Sequence, residues 1–388
     1  YDKFKEVDHL VLNEAEMTLQ PFLDDFSKGC AGHIYTSDQF PDLRNTPIPR
    51  WNLIKMKHYA VMDIQFSRGC PYNCEFCDIV QLFGRKVRTK STAQVISELD
   101  ALYRGGWRNG VFFVDDNFIG NKSLMKRSIL PAIIDWMKMR KYPFSFNTEA
   151  SINIADDDEL LDLLVKAGFD SVFIGIESPN AESLAECNKV QNKNRNMLHS
   201  VNLIQKKGLM VKGGFIVGFD SDPPSIFDKI TDFVQDSMIV NAMVGLLNAP
   251  RGTGLYKRLH EEGRLLADAT GDNTDLTMNF QPKMEYGKIL EGYKSIIRGI
   301  YSAKPYYQRV KKFLSSYTPA PKQVLKMNPG LLKPFFKSIF FIGVTGKDRR
   351  YFWNLFFWTL FKHPRLLPLA LTYAVYGHHF RKVYEMII

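Results

Sequence analysis

Between about residues 59 and 260, short apolar runs alternate with amphipathic ones, and no other feature of the chain constrains its fold as much. Apolar runs of strand length fall at 60–66, 110–114, 144–148, 171–176, 211–217 and 242–247. Between them, 92–103, 122–139, 157–167, 194–207 and 225–235 carry apolar residues at helical spacing. Strands that alternate with helices predict parallel pairing, because a parallel partner needs a connection long enough to return. The expected fold is α/β, with six parallel strands closed part-way into a barrel or laid out as a doubly wound sheet.

The flanks read differently. Residues 1–30 offer a short strand, Leu10-Val11-Leu12, then Asn13-Glu14-Ala15-Glu16 and a helix ending near Gly29. Residues 31–58 are polar and carry Pro41, Pro47 and Pro49, the composition of a linker. Residues 261–388 lose the alternation and read as mostly helical. The chain starts at Tyr1 with no charged leader before an apolar stretch, so it reads as a fragment or processed chain without a signal peptide.

Charge is concentrated at the far end. Residues 302–388 hold fifteen Lys or Arg against Asp348 and Glu385, a net of +13, so the rest of the chain sums to −3. The same segment holds 19 of the 51 aromatic residues, and this basic, aromatic end calls for its own explanation.

Five cysteines, at 30, 70, 74, 77 and 187, are too few and too clustered for a disulfide framework, and a reducing cytoplasm suits them. The run Arg68-Gly69-Cys70-Pro71-Tyr72-Asn73-Cys74-Glu75-Phe76-Cys77 directly follows the first strand. Three thiolates spaced by three and then two residues can wrap one small metal centre from a single loop. On a four-iron cluster they leave one iron without a protein ligand, open to a small molecule. A structural zinc site in a scaffold protein is the alternative, but no second Cys-x2-Cys knuckle is present.

Cys-x3-Cys-x2-Cys at the end of the first strand of such an alternating pattern resembles the radical SAM superfamily. The resemblance covers about residues 59–260. It implies a partial (β/α)6 TIM-like barrel, a [4Fe–4S] cluster held by Cys70, Cys74 and Cys77, and S-adenosylmethionine on the open iron. It places Phe76 near the adenine. It also puts Asp115 and Asp116, in Val114-Asp115-Asp116-Asn117, beside the methionine amino group. The commoner family pattern there is Gly-Gly-Glu; a carboxylate-rich turn suits an ammonium group, though Asp-Asp-Asn is also an ordinary turn. Glu149 and Glu177 stand where the third and fourth strands become loops, the face that carries the site in a barrel. Glu177 is matched to the ribose hydroxyls, and Gly214 and Ile216 to the adenine.

Residues 1–30 resemble the last strand and helix of the cobalamin-binding Rossmann-like domain that precedes some radical SAM domains, which would leave 31–58 as linker. Parts of 261–388 resemble the helical extension of a subgroup that includes hopanoid C-2 methylases. Together these imply cobalamin as a third cofactor and methylation of an unactivated carbon on an apolar, lipid-like substrate. In the implied reaction a 5′-deoxyadenosyl radical removes a substrate hydrogen, and methylcobalamin supplies the methyl group. An electron donor such as flavodoxin or ferredoxin is expected. A rearrangement without methyl transfer, and tRNA modification, are the competing radical SAM readings. No residue is assigned to proton transfer.

The apolar stretches 351–361 and 366–380 are shorter than the roughly 20 residues that a spanning helix needs. Interleaved with Lys and Arg, they suit a helix lying on the inner face of an anionic membrane, giving a cytoplasmic protein with peripheral contact through 331–388. An ordinary helical cap with its aromatics in the core is the second reading of this tail. Nucleic acid is not the expected partner, since no OB-fold or KH motif is evident.

Overall fold

The computed structural model describes residues 6–271, 276–319 and 332–387. The portions of the end-segment readings that fall on 1–5, 272–275, 320–331 and 388 lie outside the described residues.

Six strands form one sheet: β1 (Val61–Ile64), β2 (Gly110–Phe113), β3 (Ser145–Glu149), β4 (Phe169–Glu177), β5 (Met210–Val217) and β6 (Ala242–Leu246). Their order is β6-β5-β4-β3-β2-β1, every pairing is parallel, and the edge strands β1 and β6 do not pair with each other. A doubly wound sheet reverses its strand order at a switch point; a strictly sequential order is the wall of a barrel. The α/β partial barrel is therefore the fold.

Helices α1 (Thr92–Arg104), α2 (Leu130–Met139), α3 (Asp158–Ala167), α4 (Met197–Lys206) and α5 (Ile226–Asp236) fall where the spacing predicts them. Local chemistry sets their ends. Ser91 and Gln94 form a capping box on α1. Asp157 and Asn196 cap α3 and α4, and Gly168 ends α3 in the left-handed region. The run into α2 is interrupted by a wide π-type segment, Met125–Ile129, just before Pro131, which lacks the N–H that a regular turn would use.

Strand residues of one parity are buried under these helices: Val111, Phe113, Phe146, Val172, Ile174 and Val211. Phe113, Phe118, Phe146 and Phe169 pack ring to ring, with centroids 4.9–5.4 Å apart. The other parity faces the lumen: Phe112, Asn147, Phe173 and Lys212 remain part-exposed, and Asp63 on the edge strand is exposed.

Beyond the barrel lie α6 (Gly254–Glu261), α7 (Tyr286–Tyr301), α8 (Ala303–Ser316), α9 (Arg349–Lys362) and α10 (Leu367–Ile387). Helix α6 stays at the carboxyl end beside the cysteine loop, and from α7 onward the helices close the amino end of the last strands. Tyr301 Oη donates to the Ala242 carbonyl at 2.6 Å, and Tyr317 Oη donates to the Gly208 carbonyl at 3.0 Å. Tyr301, Tyr306, Phe313, Phe352 and Tyr373 are buried, so much of the tail's aromatic content is core. No described helix is long and apolar enough to cross a membrane.

At the other terminus, strand Leu10–Val11, helix Ala15–Ser27 and strand Ile34–Tyr35 form a small parallel βαβ unit. Its second strand lies in the segment whose composition reads as linker, and two residues are too short for a periodicity to register.

Candidate cluster and cofactor site at the carboxyl mouth

The cysteine loop leaves β1 and is bounded by a two-residue antiparallel ladder, Ser67–Arg68 with Arg88–Thr89. Asp115, at the end of β2, is fully buried and accepts from the Phe66 N–H at 3.1 Å, the Ser67 N–H and the Ser67 hydroxyl at 2.5 Å. Burial pushes its carboxyl up to about 7 although these three donors pull the other way. Both carboxylate oxygens thus anchor the foot of the loop, and only the backbone of Asp115 is left to face a ligand. Asp116 turns back to accept from the Gly69 N–H at 3.2 Å.

Each of the three sulfurs receives an N–H. The Tyr72 backbone serves Cys70, the Ile79 backbone serves Cys77, and the Gln191 amide lies 3.6 Å from Cys74 Sγ. Burial raises the Cys70 thiol and pushes Cys77 up to about 12, so loading a metal must displace protons. No group of three described His, Cys, Asp or Glu side chains converges as one shared ion requires. A cubane instead asks one thiolate per iron. Soft donors, an N–H on every sulfur and the nearby Lys189 ammonium fit an anionic iron–sulfur cluster.

Around this loop the structure gathers the other expected residues in two groups. Asp116 and Glu149 stand close enough that Glu149 is raised first by burial and then by Asp116. Asp116, itself raised by burial, also acts on Cys70. Two carboxylates held this way favour a cation between them, as an amino group would be. On the opposite side, Glu177 is 7% exposed and sits at φ 62°, a left-handed conformation that is costly for a residue with a side chain. A register shift between Gly175 and Glu177 produces it. The Glu177 carboxylate is paired with Lys189 at 2.5 Å, and a Cβ at Gly175 would fall 2.2 Å from that carboxylate, so only glycine fits there.

Phe76 lies 6.3 Å from Phe219, just beyond the end of β5, and 5.8 Å from the Lys189 ammonium. Ile216 is part-exposed on the lumen face. Gly214 is bare for a different reason: a Cβ there would meet the Phe173 ring at 2.8 Å. The side-chain oxygens of Gln191 and Asn192 are buried with no protein donor, close to Cys74 and to the end of β4.

Sequence reasoning missed Lys189, Gln191 and Asn192, which lie at and in a three-residue 3-10 turn (Val190–Asn192) too short for a periodicity, and three clamps of charge. Glu14, 5% exposed at its side chain, joins the N-terminal βαβ unit to Arg68 at 2.5 Å and to Arg88 at 2.6 Å. Arg258 on α6 forks onto Glu75, inside the cysteine loop, at 2.7 and 3.0 Å, and reaches Glu186 and Asp220. Lys189 pairs with Glu177 beside Cys74; burial would lower this lysine, and the Glu177 carboxylate foremost outweighs that and holds it raised. Cys187 is a buried thiol whose carbonyl accepts from the Glu75 N–H at 2.9 Å; Cys30 is exposed.

A parallel six-stranded partial barrel with a three-cysteine loop after its first strand defines a class of iron–sulfur enzymes. The radical SAM superfamily model matches residues 64–234, and a domain of unknown function (DUF4070) matches 253–388. An uncharacterized methyltransferase of Synechocystis is 40% identical over 98% of this chain and 71% of its own length. The hopanoid C-2 methylase of Rhodopseudomonas palustris is 32% identical over 89% of this chain and 66% of its own. The chain belongs to the radical SAM superfamily, in the branch that holds these methyltransferases. It spans only about two thirds of the length of these relatives. The solved cobalamin-dependent S-adenosylmethionine radical enzyme OxsB shares the fold along the whole chain, with a TM-score of 0.57 at 15% identity, and 65% of its length is covered.

Proposed function

We propose that this protein reductively cleaves S-adenosylmethionine and uses the radical to methylate an unactivated carbon of an apolar, lipid-like substrate, with cobalamin as methyl carrier. The observation that carries the first part is the mouth itself: three loop cysteines, an N–H on each sulfur, and the Asp116–Glu149 pair beside Cys70. A [4Fe–4S] cluster bound by Cys70, Cys74 and Cys77 supplies the electron for cleavage.

The protein's own residues do the positioning. Asp116 and Glu149 hold the amino end of the cofactor, with the Asp115 backbone beside them. Phe76 and Ile216 offer apolar surface to the adenine across from Gly214. Glu177 faces the ribose with one oxygen engaged by Lys189. Methylation and the lipid-like substrate are supported by the hopanoid C-2 methylase at 32% identity. Cobalamin is supported by the βαβ unit that Glu14 fastens at the mouth. A small electron carrier such as flavodoxin or ferredoxin completes the cycle, and peripheral contact with a membrane leaflet through 331–388 accompanies a substrate of this kind.

The test is anaerobic reconstitution of the full-length gene product with iron and sulfide, then incubation with reductant and methyl-labelled S-adenosylmethionine. 5′-Deoxyadenosine from wild type and not from Cys74→Ala is expected, with label in the lipid product. A loaded cluster that yields none, with cobalamin and candidate lipids present, refutes the radical reading. Product without label refutes methylation in favour of rearrangement.

A further inference from the structure

Helix α9 is apolar on two sides, and only one of them is covered. Phe352, Leu355 and Thr359 are buried against α8, α10 and the preceding segment. On the outer side Phe357 is 48% and Phe361 79% exposed. Trp353, Phe357 and Phe361, spaced by four, stack in a single stripe with centroids 5.6 and 6.4 Å apart. The adjoining segment, tied to α9 by the Trp353 indole N–H on the Gly343 carbonyl at 2.9 Å, also exposes Phe336 and Phe340, whereas its Phe341 borders a separate groove with Tyr301 and Arg381. An exposed aromatic surface of this extent marks an interaction site.

Its charge says which kind. Lys311, Arg349, Arg350 and Lys362 line a groove of about 750 Å³ together with Phe357 and Phe361. The two acids of residues 302–388 are already engaged, Asp348 with Arg381 and Glu385 with Lys382. Rings flanked by cations suit the boundary between anionic headgroups and acyl chains. The surface lies beyond α8, which packs at the amino end of β5 and β6, so it does not cover the carboxyl mouth where the N-terminal unit attaches.

We propose that the Trp353–Phe361 stripe and its basic rim form a docking surface for an anionic lipid leaflet. The proposal extends the lipid-substrate reading above and rests on it for choosing a bilayer over other anionic surfaces.

The test is co-sedimentation of the purified protein with phosphatidylcholine vesicles, with and without 30 mol% phosphatidylglycerol, at low and high salt. Wild type is expected to bind the anionic vesicles at least tenfold better than the neutral ones, and less at high salt. Each cation near the leaflet contributes about fivefold in affinity. Arg349→Glu/Arg350→Glu is therefore expected to lose well over tenfold, and Phe357→Ser/Phe361→Ser to lose binding at both salts. Both pairs are exposed, and circular dichroism checks that the fold is kept. Three results overturn the proposal: variants that bind like wild type, tighter binding to tRNA than to anionic vesicles, or wild-type dimers that the Phe357→Ser/Phe361→Ser change turns into monomers. 5′-Deoxyadenosine formation without vesicles reports on the radical chemistry separately, and both variants are expected to retain it.

Discussion

Replacing Lys189 by Met tests how the mouth holds Glu177. The ammonium and the carboxylate are paired at 2.5 Å, with side chains 11% and 9% exposed. Removing one member of a buried pair strands the other charge, and such losses run to about 3–5 kcal/mol. Glu177 also holds its left-handed backbone, a strain of about 1–3 kcal/mol that the ion pair helps to offset. Loss of about 3–5 kcal/mol is therefore expected for Lys189→Met. With an unfolding entropy of ~0.8 kcal/mol per kelvin for 388 residues, that lowers Tm by roughly 4–6 °C. The assay is urea unfolding in a background with Cys70, Cys74 and Cys77 changed to Ala, so that metal loss does not couple to unfolding. Adding Glu177→Gln to Lys189→Met removes the stranded charge and is expected to recover about 2 kcal/mol. Refutation would be a Lys189→Met protein within 1 kcal/mol of its parent, or a double variant no better than the single one.

Two further expectations follow from other contacts. Arg258→Ala leaves Glu75, Glu186 and Asp220 facing one another without the guanidinium that bridges them; iron bound per chain is expected to fall at least twofold, with Arg258→Lys recovering part of it. Full loading and an unchanged cluster EPR signal in the Ala variant would show that Arg258 does not hold the loop. Asp222 accepts from the Ser183 hydroxyl and from the Gly218 and Phe219 N–H groups, yet burial pushes its carboxyl from 3.8 up to about 6. Because the folded value is the higher one, stability is complete below the unfolded value and is lost as pH rises through 6. That gap corresponds to about 3 kcal/mol. The stability of wild type relative to Asp222→Asn should therefore fall by about this amount between pH 4 and 7.5. Parallel pH profiles of the urea midpoints would sink the argument.

What could be read from the sequence is local in origin. Strand positions follow from β-branched and aromatic runs, and helices from a 3.6-residue spacing. The cysteine loop is a contiguous motif directly after one of those strands. Glu149 and Glu177 could be placed at the mouth because a residue at the carboxyl end of a parallel strand has nowhere else to be. The match of 64–234 to the radical SAM model bears out the superfamily resemblance that the cysteine run carries.

Other features depend on which loops meet, and no local pattern encodes that. Barrel and doubly wound sheet share one alternation, and only the observed order β6 to β1 separates them. Arg258 lies 183 residues from Glu75, and Glu14 lies 54 and 74 residues from the arginines it joins; a charge pair has no periodicity along the chain. Asp115, equal to Asp116 in the sequence, is turned inward onto Phe66 and Ser67, whereas Asp116 stays at the mouth. The tail's aromatics look alike in the sequence, yet Tyr306 and Phe352 are core and Phe357 and Phe361 are surface. Apolar burial is nondirectional, so composition says that such rings will be covered, and only packing against α8 and α10 decides which of them are.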